Sequence, residues 1–141
     1  MNEEQQLIGE MARRMLDDHC GPAVVDQAEQ GDYPSDLWTL LVDNGLTTLG
    51  IDEALGGAGG TFGDALVVLR EAGRKAAPLP LAETLLAGRL LSSLEQRLPS
   101  GPMCFVQGAV TLTESGQLQG TVHGVKFARH CQTLLVAARR G

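Results

Sequence analysis

Apolar positions recur at helical spacing through roughly the first hundred residues and at strand-like spacing after them. Leu7, Ile8, Met11, Met15 and Leu16 alternate with Glu3, Glu4, Glu10, Arg13 and Arg14, which predicts an amphipathic helix over 3–18. Gly21-Pro22 stops it, and a shorter helix over 22–29 leads to the turn Gln30-Gly31-Asp32-Tyr33. Pro34-Ser35-Asp36 then starts a helix over 35–44, with Leu37, Trp38, Leu40, Leu41 and Val42 as its stripe and Asn44-Gly45 as its stop. Thr61 is placed to cap a helix over 62–76 carrying Ala65, Leu66, Val68, Leu69 and Ala72. Beyond Pro78-Leu79-Pro80, a ladder of leucines from Leu81 to Leu98 predicts a strongly apolar helix over 80–96, central to the core.

After Pro99-Ser100-Gly101-Pro102 the pattern shortens to β-like runs over 103–106, 109–113, 117–122 and 133–138, punctuated by Gly108, Ser115-Gly116 and Gly124. So few strand residues make a sheet with unpaired edges and little to cover it. The expected fold is mainly α: an all-helical domain over 1–98, followed by the incomplete beginning of a β domain over 99–141.

Composition narrows the function classes. At 43% hydrophobic and 20% charged residues, the 141-residue chain is ordinary globular protein, not disordered or disulfide-rich. Only 4% is aromatic, which argues against binding single-stranded nucleic acid by stacking. The net charge of −6 is uneven: residues 1–53 hold 12 acids and 2 bases, residues 54–141 hold 5 acids and 9 bases. An acidic front of this kind reads as a solvated helical face and speaks against nucleic acid as a partner. No apolar run approaches the roughly 18 residues of a membrane span, and Glu3 and Glu4 stand where a secretory leader would be basic. A cytoplasmic protein with no membrane contact is expected, its three cysteines reduced.

Candidate chemistry is sparse. The loop Gly56-Gly57-Ala58-Gly59-Gly60 precedes a helix, where backbone amides can hold a phosphate, but it lacks the Gly-Lys-Ser/Thr ending and does not follow a strand in a βαβ unit. A structural turn is the better reading. His19-Cys20 and His130-Cys131 could supply four soft ligands or a thiol–imidazole pair, yet their spacing matches no zinc pattern and no third orienting group is visible. Neither a metal site nor a catalytic residue is assigned.

One family matches in order and spacing. The stretch Tyr33-Pro34-Ser35-Asp36-Leu37-Trp38, then Asn44-Gly45-Leu46, then Gly50-Ile51-Asp52-Glu53-Ala54-Leu55-Gly56-Gly57-Ala58-Gly59, resembles the N-terminal domain of the acyl-CoA dehydrogenases. Asp52 stands where that family usually has a proline. The helix from Phe62 through Arg74 is similar to the family's next helix, and Leu118-Gln119-Gly120 to Ala138 to the first strands of its middle domain.

The resemblance implies a helical domain, a middle β barrel and a C-terminal helical bundle, with FAD bound between subunits of a tetramer. In such enzymes a carboxylate removes the α proton of an acyl-CoA thioester while flavin N5 accepts the β hydride. That base usually lies in the C-terminal bundle, beyond Gly141, so these 141 residues alone are expected to be inactive. Gly124, Val125 and Lys126 fall at the family's flavin-packing Trp-Ile-Thr motif without its ring or hydroxyl, and the upstream Thr-Glu-Pro-x-x-Gly-Ser-Asp signature has no counterpart between Pro102 and Gln119. This is similar to diverged members that form one half of a heteromeric enzyme. By position, Leu81, Thr84, Leu85 and Gly88 would line the acyl pocket, although a leucine stripe also describes simple core. The run Pro78-Leu79-Pro80-Leu81-Ala82-Glu83-Thr84 resembles members acting on sterol-derived and other bulky acyl-CoAs.

The expectation is therefore the N-terminal part of an acyl-CoA-desaturating flavoenzyme, or of its cofactor-poor partner subunit, forming a pocket wall and contacts in a homo- or hetero-oligomer. The alternative is a stand-alone helical interaction module without catalytic role.

Overall fold

The computed structural model describes residues 1–141. Five α-helices form in order: α1 (Glu3–His19), α2 (Pro22–Glu29), α3 (Ser35–Asp43), α4 (Phe62–Arg74) and α5 (Leu81–Ser93). Two of them begin with reciprocal caps. The Asn2 side chain accepts from the Gln5 amide while Gln5 accepts from the Asn2 amide, and Thr61 and Asp64 do the same at α4. These exchanges satisfy amides that a helix start leaves free.

The core gathers Ala12 and Leu16 from α1, Leu37, Trp38 and Leu41 from α3, Ala65, Val68 and Ala72 from α4, and Leu81 and Leu85 from α5. Each fully buried leucine contributes about 2 kcal/mol by leaving water. On α1 the buried line is Gly9, Ala12 and Leu16, whereas Leu7 is exposed and Ile8, Met11 and Met15 pack at the margin. The stripe is rotated relative to the expected one because small residues set the approach of α4. A Cβ at Gly9 would lie 3.0 Å from Val67 Cγ1.

Between α3 and α4 the glycine loop folds back on itself. The Gly50 amide donates to the Gly59 carbonyl and the Gly59 amide to the Ile51 carbonyl, and a Cβ at Gly57 would lie 2.0 Å from the Ile51 carbonyl oxygen. Only glycine permits that approach. At α5 one face, with Leu81, Thr84, Leu85, Ala87 and Gly88, is buried, while Leu86 and Leu94 are exposed. The helix also ends at Ser93, short of the expected 96, and Glu95 adopts a left-handed backbone (φ 54°).

Three strands follow: β1 (Met103–Leu112), β2 (Leu118–Gly120) and β3 (Thr133–Arg140), in sheet order β2-β1-β3. β1 pairs antiparallel with β2 and parallel with β3. Gly108 does not divide β1 in two as its position suggests; Val122 lies over it, with Cγ2 2.6 Å from where a Cβ would stand, and the β3 register shifts between Gln107 and Thr111. Met103, Cys104, Val106 and Val110 are the buried residues of β1, which docks on α5. Thr84 Oγ1 secures that docking by donating to the Met103 carbonyl (3.2 Å) and accepting from its amide (3.0 Å). The mainly helical fold with a short β segment is thus what the structure shows. No helix is long and apolar enough to cross a membrane.

Candidate functional site

Two clefts lie where helices meet the β segment. The larger, about 770 Å³, is walled by α2, the turn before α3, the α4–α5 link and the 125–130 segment. The local chain at its rim is constrained. Pro34 sets the entry to α3, and both Ala76 and Phe127, on opposite walls, adopt left-handed backbone (φ 48° and 59°). Such conformations cost about 1 kcal/mol or more for residues with a side chain and persist only where packing holds them.

Across this cleft the helical part and the β segment meet through an aromatic stack: Tyr33 and His130 have ring centroids 4.8 Å apart at an interplanar angle of 16°. The Tyr33 hydroxyl is buried without a hydrogen-bond partner. Burial holds its phenol above the ordinary tyrosine range, and nearby Cys131 adds to the effect. Next to the stack, Cys131 touches Cys104, with sulfurs 2.6 Å apart, and the Cys104 thiol also donates to the Lys126 carbonyl (3.2 Å). Cys131 is pushed up to about 12, first by burial and then by the Cys104 thiol.

The smaller cleft, about 350 Å³, lies between α3, the glycine loop, α5 and the 98–103 connection. Thr84 lines it. Of the residues placed at an acyl pocket from sequence, Leu81, Thr84 and Leu85 are all buried in the chain's own packing. Gly88 is buried too, and a Cβ there would lie 2.7 Å from Ile51 Cδ1 and 3.6 Å from Met103 Cε. The structure therefore sets all four on the α5 face that meets the core and β1.

Gly124, Val125 and Lys126 lie between β2 and β3, with the Lys126 carbonyl accepting from the Cys104 thiol. Gly124 (φ 70°) and Lys126 are exposed, and Val125 faces the larger cleft. These three residues offer no aromatic ring, no hydroxyl and no side-chain acceptor, and the nearby Tyr33 ring already has His130 stacked on it. An isoalloxazine does not fit a donor set of this kind.

The glycine loop is no anion cradle. The amides of Gly56, Gly57, Ala58 and Gly59 donate to Glu53, Asp52, Thr48 and Ile51 carbonyls, and the buried Asp64 carboxylate already occupies the start of α4. His19-Cys20 and His130-Cys131 are not brought into one cluster, and no group of three or more histidine, cysteine or acidic side chains is arranged to hold a metal. Sequence reasoning missed the Tyr33–His130 stack and the Cys104–Cys131 contact. The His130-Cys131 dipeptide, the Tyr33-Pro34 turn and Val125 drew attention to residues of this place, but no sequence signal joined them.

Away from both clefts, Glu71 is 1% exposed and joins α1 to α4. It accepts from Arg13 Nε (3.1 Å) and Arg74 Nη1 (2.6 Å) and pairs with Arg70 (3.1 Å). The Arg13 guanidinium, with Arg74 and Arg70 beside it, holds the Glu71 carboxyl down at about 2.

Comparison with known proteins gives consistent results. The model of the acyl-CoA dehydrogenase N-terminal domain matches residues 2–94. The acyl-CoA dehydrogenase IpdE2 of Mycobacterium tuberculosis is 43% identical over 88 residues, 60% of this chain and 28% of that protein. Its namesake in Mycolicibacterium smegmatis is 38% identical over 139 residues, 95% of this chain and 45% of that protein. The chain thus spans less than half the length of the curated relatives it matches. Among solved structures, a variant of the Tcur3481-Tcur3483 steroid ACAD is similar over 98% of this chain and 45% of that one, with a TM-score of 0.85 and 29% identity. The ChsE4-ChsE5 complex from Mycobacterium tuberculosis matches 99% of this chain and 45% of that one with a TM-score of 0.80; at 23% identity it speaks for the fold alone.

Proposed function

Because this chain belongs to the acyl-CoA dehydrogenase family, we propose that it is the N-terminal part of an enzyme, or of an enzyme's partner subunit, that desaturates an acyl-CoA thioester between Cα and Cβ. The observation that carries this reading is the match over 98% of the chain, at a TM-score of 0.85, to a steroid ACAD. The same likeness favours a bulky, steroid-derived acyl group over a straight chain. The helical part, residues 1–98, supplies one wall of the acyl pocket, with Leu81, Thr84, Leu85 and Gly88 packed behind it against the core and β1, and residues 99–141 open the middle β domain.

Subunit contacts fall to surfaces the chain leaves uncovered. Phe62 and Leu66 on α4, Leu86 on α5 and Leu94 just beyond it are large apolar side chains between 47% and 65% exposed, and β3 carries an unpaired edge. Acyl-CoA dehydrogenases are flavin-dependent in general, but the side chains at 124–126 fit FAD poorly. A second acyl-CoA dehydrogenase subunit is the partner that would complete the flavin contacts.

The whole protein containing these residues, produced with and without a candidate acyl-CoA dehydrogenase partner, tests the proposal. Steroid-CoA desaturation with a dye as electron acceptor, appearing only in the co-purified complex together with a flavin spectrum, is the expected result. Turnover of straight-chain but not steroid thioesters would end the substrate reading. A colourless, inactive protein that forms a defined oligomer by itself and ignores every such partner would favour the interaction-module alternative.

A further inference from the structure

Cys104 and Cys131 lie 27 positions apart in the chain, and neither belongs to a motif that pairs it with the other. The fold brings them together. Cys104 is the second residue of β1, and the parallel register that sets Met103 against Thr133 and Cys104 against Leu134 leads the chain past Cys131 just before β3 begins. The two sulfurs are in contact, Cys104 is buried, and Cys131 is half-buried beside the Tyr33–His130 stack. The remaining cysteine, Cys20, is buried just past the end of α1 with its thiol toward the Lys75 carbonyl (4.0 Å). Neither thiol has a metal-binding cluster around it.

We propose that Cys104 and Cys131 are a modification site: a dithiol that a small-molecule disulfide converts reversibly to an intramolecular bridge, pinning the 125–131 segment to β1. Exchange begins when the more accessible Cys131, as thiolate, attacks one sulfur of the small disulfide and expels one thiol, leaving a mixed disulfide. Cys104, as thiolate, then attacks the Cys131 sulfur and expels the second. Two protein S–H bonds become one S–S bond, and the two electrons leave with the small disulfide as two thiols. The groups facing Cys131 are Cys104 from β1, Tyr33 and His130 at the stack, and Glu83 from α5. None of them supplies a fixed positive charge, so thiolate is scarce at neutral pH and the exchange is slow there. A bridge at this place fixes one wall of the larger cleft, because Val125, Phe127, Ala128 and His130 all lie on the segment it closes.

Incubation of the 141-residue chain with oxidised glutathione at about pH 8, followed by intact-mass measurement and peptide mapping, decides the matter. The expected product is about 2 Da lighter than the reduced chain, from loss of two hydrogens. Its Cys104 and Cys131 peptides are joined, Cys20 is free, and amide exchange over 125–131 is slowed. Dithiothreitol reverses all of this. With Cys104→Ser the reaction stops at a glutathione adduct on Cys131, and with Cys20→Ser the bridge forms as in the parent. Persistence of wild-type protein as a stable glutathione adduct, bridging through Cys20, or bridging between chains would overturn the proposal. The wild-type mass and map settle it even if a serine variant fails to fold.

Discussion

Replacing Glu71 by glutamine keeps its shape and removes its charge from the junction of α1 and α4. Holding this carboxyl at about 2 instead of its ordinary 4.5 corresponds to roughly 3 kcal/mol in favour of the ionised folded form. Arg13, Arg70 and Arg74 are each about half exposed, so water screens part of that, and about 2 kcal/mol is the expected loss near pH 7. The group's folded value lies below its unfolded value. Its contribution is therefore full above about pH 5 and drains away as acid takes the carboxyl toward 2, with less than half remaining at pH 3. Trp38, the only tryptophan and a buried one, reports unfolding by fluorescence. Urea titrations of the parent and Glu71→Gln at pH 7, 5, 4 and 3 should show the gap narrowing over the last two steps. A gap below about 0.5 kcal/mol at pH 7 would refute the buried-anchor argument. A gap that stays constant down to pH 3 would locate the loss in the misfit of an amide NH₂ against guanidinium donors, not in charge.

Other expectations follow from single contacts. Ala76→Gly relieves a left-handed residue just past the end of α4 and should stabilise the chain by about 1 kcal/mol in the same urea assay. Gly57→Ala has no room, since its Cβ would strike the Ile51 carbonyl; a loss of about 2–4 kcal/mol, or failure to fold, is expected by thermal melting. Thr84→Val removes both bonds to Met103 while keeping volume, and should cost about 1–3 kcal/mol and speed hydrogen exchange at the start of β1 more than within α1.

The helices were legible because each carries its own punctuation. Thr61 followed by Asp64, Pro34 before α3, and Gly21-Pro22 between α1 and α2 act over four residues or fewer, so they work the same way in any fold. The family resemblance rested on the order of such signals. Residues 103–113 were less legible. Gly108 reads as a break in isolation, yet it is the position over which Val122 closes, a contact that exists only once the chain has turned back. The acyl-pocket candidates show the same limit: a periodic leucine ladder identifies a buried helix face but not whether protein or ligand covers it.

By itself the sequence determined where helices start, to within a residue, that the chain is mainly helical before Pro99 and strand-forming after it, and that the glycine loop is a turn. Local steric and capping preferences suffice for each of these. Tertiary structure alone decided which side of α1 faces α4, that Glu71 anchors three arginines, that Tyr33 lies on His130, and that Cys104 meets Cys131. The Glu71–Arg13, Tyr33–His130 and Cys104–Cys131 contacts join residues 27 to 97 positions apart in the chain. Whether they form depends on how closely the small residues of α1 and α4 let the helices approach and on which edge of β1 the returning strand takes. Only the packed whole specifies either.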